Sequence, residues 1–210
     1  MAQKITHVYL IRHGQAYWNV VHKMQGQVNI PLTDVGRAQA CAQRDRLAVV
    51  PFDLCFTSPL GRARETAAIV LADRGTPVIV EPRLIEQAYG ICEGASHDEF
   101  FRRESPVYGY LNDPAHYTPA IGGETFDELN DRVAAFIDDT LLPAVADAHD
   151  ILVAAHGAVL CSLVNTLVGG VPVADFWQRK LPHAGVGTFD IVDGVPDMAT
   201  LDLDRTAIGA

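Results

Sequence analysis

The chain has 210 residues, of which 49% are hydrophobic and 20% charged, as expected for one globular domain with its own core. Its net charge of −10 argues against nucleic acid and anionic membranes as partners, because both would repel an acidic protein. No hydrophobic run approaches the roughly 18 residues of a membrane-spanning helix, and the N-terminus lacks the pattern of a secretory signal. We therefore expect a cytoplasmic protein whose four scattered cysteines stay reduced.

Strand-like and helix-like patterns alternate along the chain, which predicts an α/β fold. Residues 8–11 form a short hydrophobic run of the kind found in strands buried on both faces of a parallel sheet. An irregular stretch follows over residues 13–32. Thr33 has the features of an N-cap for a helix that continues to about residue 47, and a second strand is predicted at 53–57.

The next helix is predicted to begin at Ser58 and Pro59, with Ser58 as the N-cap and Pro59 in the first helical position. Its hydrophobic residues share one face: Leu60, Ala63, Ala67, Val70 and Leu71. A third strand is predicted at 78–80. Residues 87–124 lack periodicity and contain many Gly, Pro, Tyr and charged residues. We interpret this segment as a partly helical lid inserted over the edge of the sheet.

A long helix is predicted from Thr125, because Thr125 and Glu128 have the spacing of a capping box. Its buried face would carry five hydrophobic residues: Phe126, Leu129, Val133, Phe136 and Ile137. Pro143 marks a kink or the end of this helix. A strand at 151–155 and a helix at 158–168 follow, the latter ended by two glycines.

Residues 186–192 and 198–203 are predicted to form a terminal hairpin, since Asp-Gly separates them. Together these patterns predict a single α/β domain over residues 1–210. We expect a three-layer sandwich, with a mostly parallel central sheet flanked by helices and the small lid inserted near residues 87–124.

Two histidines occur in the same local context, which is the most informative feature of the chain. Arg12-His13-Gly14 directly follows the first predicted strand, and His156-Gly157 directly follows the strand predicted at 151–155. Ligands of open α/β sheets bind at the carboxyl ends of the strands, so both imidazoles should reach one edge. Either histidine alone is also consistent with a simple turn residue. The matched pair beside an arginine favours chemistry on an anion.

A phosphate ester is the anion that these residue types suit. Its transition state spreads charge over the equatorial oxygens, which forked guanidinium groups bind better than point charges do. Arg12 lies beside His13, and Arg62 lies in the first turn of a helix whose terminal amides attract anions. A neutral histidine can serve as the nucleophile near pH 7 without a metal. The alternative is that neither residue belongs to a site: Arg62 would then be an exposed arginine of a capped helix, and Glu86, further along the chain, a solvated loop residue.

Several short motifs follow one another along the chain, from about residue 5 to residue 192. They are Leu10-Ile11-Arg12-His13-Gly14-Gln15, Trp18-Asn19, Gln25-Gly26, Pro31-Leu32-Thr33 with Gly36, Thr57-Ser58-Pro59-Leu60 with Arg62-Ala63, Glu65-Thr66-Ala67, Glu86 with Gly90, Glu93-Gly94, Gly122-Gly123-Glu124-Thr125 and His156-Gly157. Their order and approximate spacing resemble the histidine phosphatase superfamily, in its phosphoglycerate mutase-like branch. Each motif is weakly specific alone, whereas the ordered set is highly specific.

The resemblance implies a role for each candidate residue. His13 would be the nucleophile that forms a phosphohistidine, and Glu86 would protonate the leaving group and then activate water. Arg12, Arg62 and His156 would complete the pocket around the transferring phosphoryl group. Five further residues would contact or border the phosphate: Asn19, Gln25, Gly26, Gly157 and Ala158. The resemblance implies neither a metal nor a cofactor.

The sequence departs from the family pattern at a few positions that bear on the substrate. Ala16 stands where relatives often have Ser or Thr, and His183 stands where Asn is common. We interpret His183 as a structural turn residue, with a place at the pocket edge as the alternative. The lid has Arg102 and Arg103 as its basic pair, fewer basic groups than the mutases have. This favours a phosphatase over a mutase.

We therefore expect a metal-independent phosphomonoester hydrolase that acts on a small phosphorylated metabolite through a phosphohistidine. The alternatives are a phosphoglycerate mutase-type phosphotransferase and a non-catalytic module that binds a phosphorylated ligand or signals. Aromatic residues of the lid would line a leaving-group pocket or pack in the core: Phe100, Phe101, Tyr108, Tyr110 and Tyr117. The sequence leaves open whether two copies of the chain form a homodimer.

Overall fold

The computed structural model describes residues 3–105 and 107–204. The strands are β1 (Ile5–Arg12), β2 (Leu54–Thr57), β3 (Val78–Val80), β4 (Asp150–Ala155), β5 (Val186–Val192) and β6 (Val195–Leu203). The α-helices are α1 (Tyr17–Val20), α2 (Asp34–Arg46), α3 (Gly61–Leu71), α4 (His97–Phe101), α5 (Gly109–Asn112), α6 (Phe126–Phe136), α7 (Leu142–Ala144) and α8 (Gly157–Val168). Short 3₁₀ helices cover Pro82–Leu84, Gly90–Cys92, Pro114–His116 and Val173–Arg179, and a π-helical turn covers Ile137–Leu141.

The strands form one mixed sheet in the order β3-β2-β4-β1-β5-β6. The first four strands of that order are parallel, while β5 pairs antiparallel with β1 and β6 pairs antiparallel with β5. The prediction of an α/β fold with a mostly parallel sheet is confirmed. The terminal hairpin is also present, but its second strand begins at Val195 rather than at residue 198.

Helices cover both faces of the sheet, because successive strand residues point to opposite sides. On β4, Ile151, Val153 and Ala155 pack into the core that contains the buried residues of α6 and α8. Leu152 and Ala154 pack into a second core with the buried residues of α3. The two cores give the predicted three-layer sandwich.

The predicted helix starts are confirmed at two positions and wrong at a third. Thr33 caps α2 by accepting a hydrogen bond from the Gly36 amide, and Thr125 begins α6 with the predicted capping box. Helix α3, however, begins at Gly61, because the Leu60 backbone is extended, with φ −73° and ψ 135°. The Ser58 hydroxyl accepts a hydrogen bond from the Leu60 amide and does not cap the helix.

The long helix after Thr125 ends at Phe136, passes into the π-helical turn and continues as α7, which contains Pro143. All five residues predicted for its hydrophobic face are buried: Phe126, Leu129, Val133, Phe136 and Ile137. The predicted hydrophobic face of α3 is buried as well.

The segment 87–124 consists of short helices joined by irregular chain, and an aromatic cluster attaches it to the body of the fold. The ring of Tyr110 stacks on Phe126 at a centroid distance of 5.6 Å and meets Trp177 edge-on at 5.0 Å. Its hydroxyl lies 2.6 Å from the hydroxyl of Tyr89. Movement of this segment as a lid stays a prediction.

Within residues 3–105 and 107–204, no single helix has the length and hydrophobicity to cross a membrane. Only the pair Gly157–Val168 and Val173–Arg179, bent by 110°, reaches that length and composition when taken together.

The start of α2 packs backbone to backbone against the loop that follows β1. A Cβ atom added at Gly36 would overlap the carbonyl oxygen of Gln15, and one added at Gly14 would overlap the carbonyl oxygen of Gly36. Glycine is needed at both positions because no side chain fits between the two segments. This contact sets the position of the loop that contains His13.

We predict that Gly36→Ala destabilises the protein by about 1–3 kcal/mol, since the added methyl group must displace the Gln15 backbone. A loss of stability would be informative, because in a helix alanine is normally more favourable than glycine by about 1 kcal/mol. Urea denaturation measures the free energy of unfolding. The control is Ala38→Gly on the exposed face of α2, which measures the effect of helix propensity alone. A stabilised Gly36→Ala variant would contradict the contact.

Candidate active site

A cavity of about 300 Å³ opens at the carboxyl ends of the parallel strands. His13 directly follows β1, His156 directly follows β4, and Arg62 lies in the first turn of α3, which follows β2. The rings of His13 and His156 have centroids 5.1 Å apart. The fold therefore brings the two matched histidines to one edge of the sheet, as the parallel arrangement of β1 and β4 requires.

Nine of the ten residues selected from the sequence line this cavity: Arg12, His13, Asn19, Gln25, Gly26, Arg62, Glu86, Gly157 and Ala158. The tenth, His156, is fully buried against the ring of His13. The sequence analysis did not select seven other lining residues: Lys23, Met24, Tyr89, His97, Leu111, Trp177 and Lys180. Of the five aromatic residues proposed for a leaving-group pocket, Phe101 and Tyr110 line it, whereas Phe100 packs in the core.

His13 has one ring nitrogen bound to the backbone and the other free of it. Its Nδ1 lies 2.7 Å from the carbonyl oxygen of Gly14. Since a carbonyl only accepts hydrogen bonds, Nδ1 carries the proton and Nε2 carries the lone pair. Burial, followed by the positive charge of Arg62, lowers the pKa of His13 well below its usual value. The ring is therefore neutral near pH 7, with a nucleophilic Nε2.

In His156 the other ring nitrogen, Nε2, has the hydrogen-bond partner, and it lies 2.7 Å from the hydroxyl of Ser58. The Ser58 oxygen accepts a hydrogen bond from the Leu60 amide. We infer that the hydroxyl proton is donated to Nε2, because no other acceptor for it is found among the described residues. The ring proton of His156 is then on Nδ1, a buried atom without a hydrogen-bond partner among the described residues. Burial and then Arg62 lower the pKa of His156 well below its usual value.

Arg12 is held by the loop that precedes β5. Its Nη1 donates to the carbonyl oxygen of Leu181 at 2.8 Å, and its Nη2 donates to Nε2 of His183 at 3.1 Å. Gly157, the first residue of α8, packs against the guanidinium. A Cβ atom added at Gly157 would lie 3.5 Å from Cζ of Arg12, which is van der Waals contact. Burial lowers the pKa of Arg12.

Arg62 is only 1% exposed and is also held by backbone oxygens. It donates to the carbonyls of Gly26 at 2.7 Å and Val28 at 2.8 Å. Burial lowers the pKa of Arg62 to about 10. Within the described part of the chain, neither Arg12 nor Arg62 has a carboxylate at ion-pair distance, and the Nε of each is buried without a partner. One buried and one partly buried positive charge, neither with a carboxylate at ion-pair distance, define a site for an anion.

Glu86 lies at the N-terminus of α8, beside these cations. Its side chain accepts weak hydrogen bonds of 3.4 Å from the amides of Ala158 and Val159. It also accepts a 3.0 Å hydrogen bond from the amide of Gln87. Only 7% of Glu86 is exposed, yet its carboxylate lines the cavity. An ionisable oxygen is thereby presented next to the anion site without an ion pair to Arg12 or Arg62.

The remaining predicted residues shape the wall near His13. The Oδ1 of Asn19 accepts a 2.8 Å hydrogen bond from the Ala16 amide, which closes the turn before α1. Gly26 has φ +49°, a left-handed conformation that favours glycine, and its carbonyl is one of the acceptors for Arg62. Gln25 is buried beside it, and its Oε1 has no partner among the described residues.

His183 belongs to a turn, as predicted, but it also contacts the site. Its Nε2 accepts from Arg12, and its ring centroid lies 5.8 Å from that of His13. Burial, followed by Arg12, lowers the pKa of His183 to about 3. It is therefore a turn residue and a neutral acceptor that orients Arg12, and it is not among the residues that line the cavity.

No group of three or more His, Cys, Asp or Glu side chains within residues 3–105 and 107–204 is placed to hold a metal ion. That no metal is needed stays a prediction.

Comparison with known proteins gives a consistent result. The family model for the histidine phosphatase superfamily (branch 1) matches residues 8–204. The adenosylcobalamin/alpha-ribazole phosphatase of Escherichia coli K12 is 34% identical over 96% of this chain and 97% of its own length. A 2,3-bisphosphoglycerate-dependent phosphoglycerate mutase of Methylobacterium sp. is 35% identical over 80% and 85%. The crystal structure of the alpha-ribazole phosphatase from Shigella flexneri superposes with a TM-score of 0.83 at 32% identity, covering 98% and 99%.

The chain therefore belongs to the histidine phosphatase superfamily, as its motifs predicted. It is an enzyme, a phosphatase that hydrolyses phosphomonoesters of small metabolites.

Three histidines with lowered pKa values predict how the stability of the protein depends on pH. In the folded chain His13, His156 and His183 have pKa values below 6.5, so below that pH the unfolded chain binds more protons than the folded chain does. The free energy of unfolding should therefore fall as the pH drops from 6.5 to 5, with each histidine contributing up to about 1.4 kcal/mol per pH unit.

Urea denaturation at pH 7.5, 6.0 and 5.0 measures this slope. His183→Asn keeps a carbonyl acceptor for Arg12 and removes one titrating ring, so the slope should become shallower by one histidine's share. An unchanged slope would contradict the assignment of His183.

Proposed function

We propose that the reaction proceeds by attack of the His13 Nε2 lone pair on the phosphorus of the bound phosphomonoester. The N–P bond forms as the ester P–O bond breaks, and the leaving alkoxide takes a proton from Glu86. Water then attacks the phosphohistidine, gives a proton to the Glu86 carboxylate and releases inorganic phosphate and the free imidazole. The single observation that carries this proposal is the neutral His13 ring, with its free Nε2, beside two guanidinium groups that lack counter-ions.

Arg12, Arg62 and His156 act in this proposal on the charge of the transferring phosphoryl group. The transition state spreads that charge over three oxygens, and its stabilisation is mostly electrostatic. The guanidinium groups are already fixed by backbone carbonyls, and the Nδ1 proton of His156 has no competing acceptor among the described residues. Asn19, Gln25, Gly26, Gly157 and Ala158 form the remaining wall around the phosphate.

Glu86 acts as the general acid and then as the general base. Its carboxylate lines the same cavity and has no ion pair with Arg12 or Arg62, so it can exchange a proton with a bound group. Its contact with the start of α8 keeps it beside Ala158, at the wall of the anion site. The position of Glu86 supports this role, and the dependence of its variant's rate on the leaving group tests it.

A mutase-type phosphotransferase is the second candidate, favoured by the 35% identity to the phosphoglycerate mutase of Methylobacterium. Such an activity would depend on a bisphosphorylated primer. The basic pair of the predicted lid, Arg102 and Arg103, is exposed and lies outside the residues that line the cavity. The position of this basic pair supports a phosphatase over a mutase.

We also propose that the enzyme works in the cytoplasm as a single domain over residues 1–210. All four cysteines are free thiols, which supports a reducing compartment. Formation of a homodimer stays a prediction for sedimentation analysis.

Turnover of a panel of phosphorylated metabolites, with EDTA present and without bisphosphorylated primer, tests the proposed function. We expect hydrolysis of at least one class, and a phosphohistidine adduct that mass spectrometry detects after alkaline quench in wild type and not in His13→Ala. Activity that appears only with primer would establish the mutase. Binding without turnover would establish a non-catalytic module.

We predict that Glu86→Gln slows hydrolysis of alkyl phosphates about 10²–10⁴-fold, because their leaving groups need a proton. The loss on p-nitrophenyl phosphate should be much smaller, since nitrophenolate leaves without one. Comparing kcat/KM for both substrates measures the contrast, and Glu104→Gln, at an exposed position of the segment 87–124, is the charge control. Equal losses on both substrates would remove the acid role from Glu86.

A further inference from the structure

The wall of the cavity includes two lysines that the proposed mechanism does not use. Lys23 and Lys180 both line the cavity. The chain has just three lysines, and the third, Lys4, lies at the start of β1, where its Nζ contacts the backbone of Ala146. Two of the three lysines of an acidic protein therefore meet at one cavity.

Each of these ammonium groups lies near the ring of a tryptophan. Nζ of Lys23 is 5.8 Å from the ring centroid of Trp18, and Nζ of Lys180 is 5.2 Å from that of Trp177. These are the only two tryptophans in the sequence. An aromatic face attracts a cation without cancelling its charge, as a carboxylate would. Neither ammonium has a carboxylate at ion-pair distance among the described residues, so both charges remain available to a ligand.

The charges that line the cavity exceed what one phosphate needs. Four cations, Arg12, Arg62, Lys23 and Lys180, line the cavity with one carboxyl group, Glu86, so the net charge is +3 with Glu86 ionised and +4 with Glu86 protonated. A phosphate monoester dianion accounts for two of these charges. At least one positive charge then remains, in a protein with a net charge of −10.

Part of the cavity wall is suited to a carbon skeleton. Met24, Phe101, Leu111 and Trp177 line the cavity with hydrophobic surface. His97 lines it too, and burial lowers the pKa of His97, so its ring adds no charge near pH 7. Desolvation by the surrounding protein and the nearby charge of Arg12 lower the pKa of Lys180, an effect that a bound anion would offset.

We propose that Lys23 and Lys180 form a second anion subsite, and that the enzyme prefers phosphomonoesters whose leaving group carries a further anionic group. This inference rests on the proposed function, because it assigns another part of the same cavity to the leaving group. The phosphate binds at Arg12 and Arg62, the carbon skeleton lies along the hydrophobic wall, and the second anion reaches the ammonium groups.

Matched substrates that differ in one charge test the subsite. The first pair is 4-carboxyphenyl phosphate and its 4-carbamoyl counterpart, and the second is 3-phosphoglycerate and its amide. Within each pair the size is kept and the charge removed. We expect kcat/KM to be roughly tenfold or more higher for the carboxylate in at least one pair, a preference that weakens with added salt.

Lys23→Gln, Lys180→Gln and the double variant should reduce that preference, and the double variant should bring it to about onefold. Their kcat/KM for the carbamoyl compound should change far less than that for the carboxylate. Lys4→Gln removes the same charge away from the cavity and is the matched control, expected to keep the wild-type preference.

The outcomes separate this inference from the proposed function. Equal hydrolysis of carboxylate and amide in both pairs overturns the subsite and leaves the phosphatase mechanism intact. A preference that survives in the double variant also overturns it, because another group must then bind the anion. No turnover of any compound, p-nitrophenyl phosphate included, overturns the proposed mechanism, and the subsite with it.

Discussion

Two guanidinium groups without carboxylate partners, Arg62 buried and Arg12 partly buried, are the constraint on which the rest of this structure depends. Removing a charge from water is costly unless other groups replace its solvent. Here backbone carbonyls replace it: those of Gly26 and Val28 for Arg62, and that of Leu181 for Arg12. Carbonyl dipoles hold the cations in place without neutralising them. The unbalanced charge is what makes this end of the sheet an anion site.

The same positive charges determine the state of the imidazoles. They lower the pKa values of His13 and His156, in addition to the effect of burial, and so keep both rings neutral. Neutrality alone would not orient the two rings. The Gly14 carbonyl engages Nδ1 of His13 and the Ser58 hydroxyl engages Nε2 of His156, so His13 keeps a free Nε2 lone pair and His156 keeps a free Nδ1 proton. One local electrostatic field thus supports a nucleophile and a hydrogen-bond donor side by side.

The cavity is lined by groups of two different kinds. The Arg12, Arg62 and Glu86 side chains are hydrogen-bonded to backbone groups and so are held in place. Other parts of the wall consist of hydrophobic surface and of ammonium groups near indole rings. Phosphate recognition therefore requires little rearrangement, while the long lysine side chains can adapt to leaving groups of different shape.

The sequence by itself determined the layered fold and most of the residues around the anion site. Hydrophobic periodicity identifies β1 and β4, and parallel strands bring the residues that follow them, His13 and His156, to one edge. Where a rule of local sequence failed, a distant contact was the reason: Ser58 does not cap α3, and its hydroxyl contacts His156, 98 positions along the chain. The tertiary structure alone decided the role of His183, the tautomers and the convergence of Lys23 with Lys180. None of these has a local signature, because each depends on which distant groups the fold places within a few ångströms.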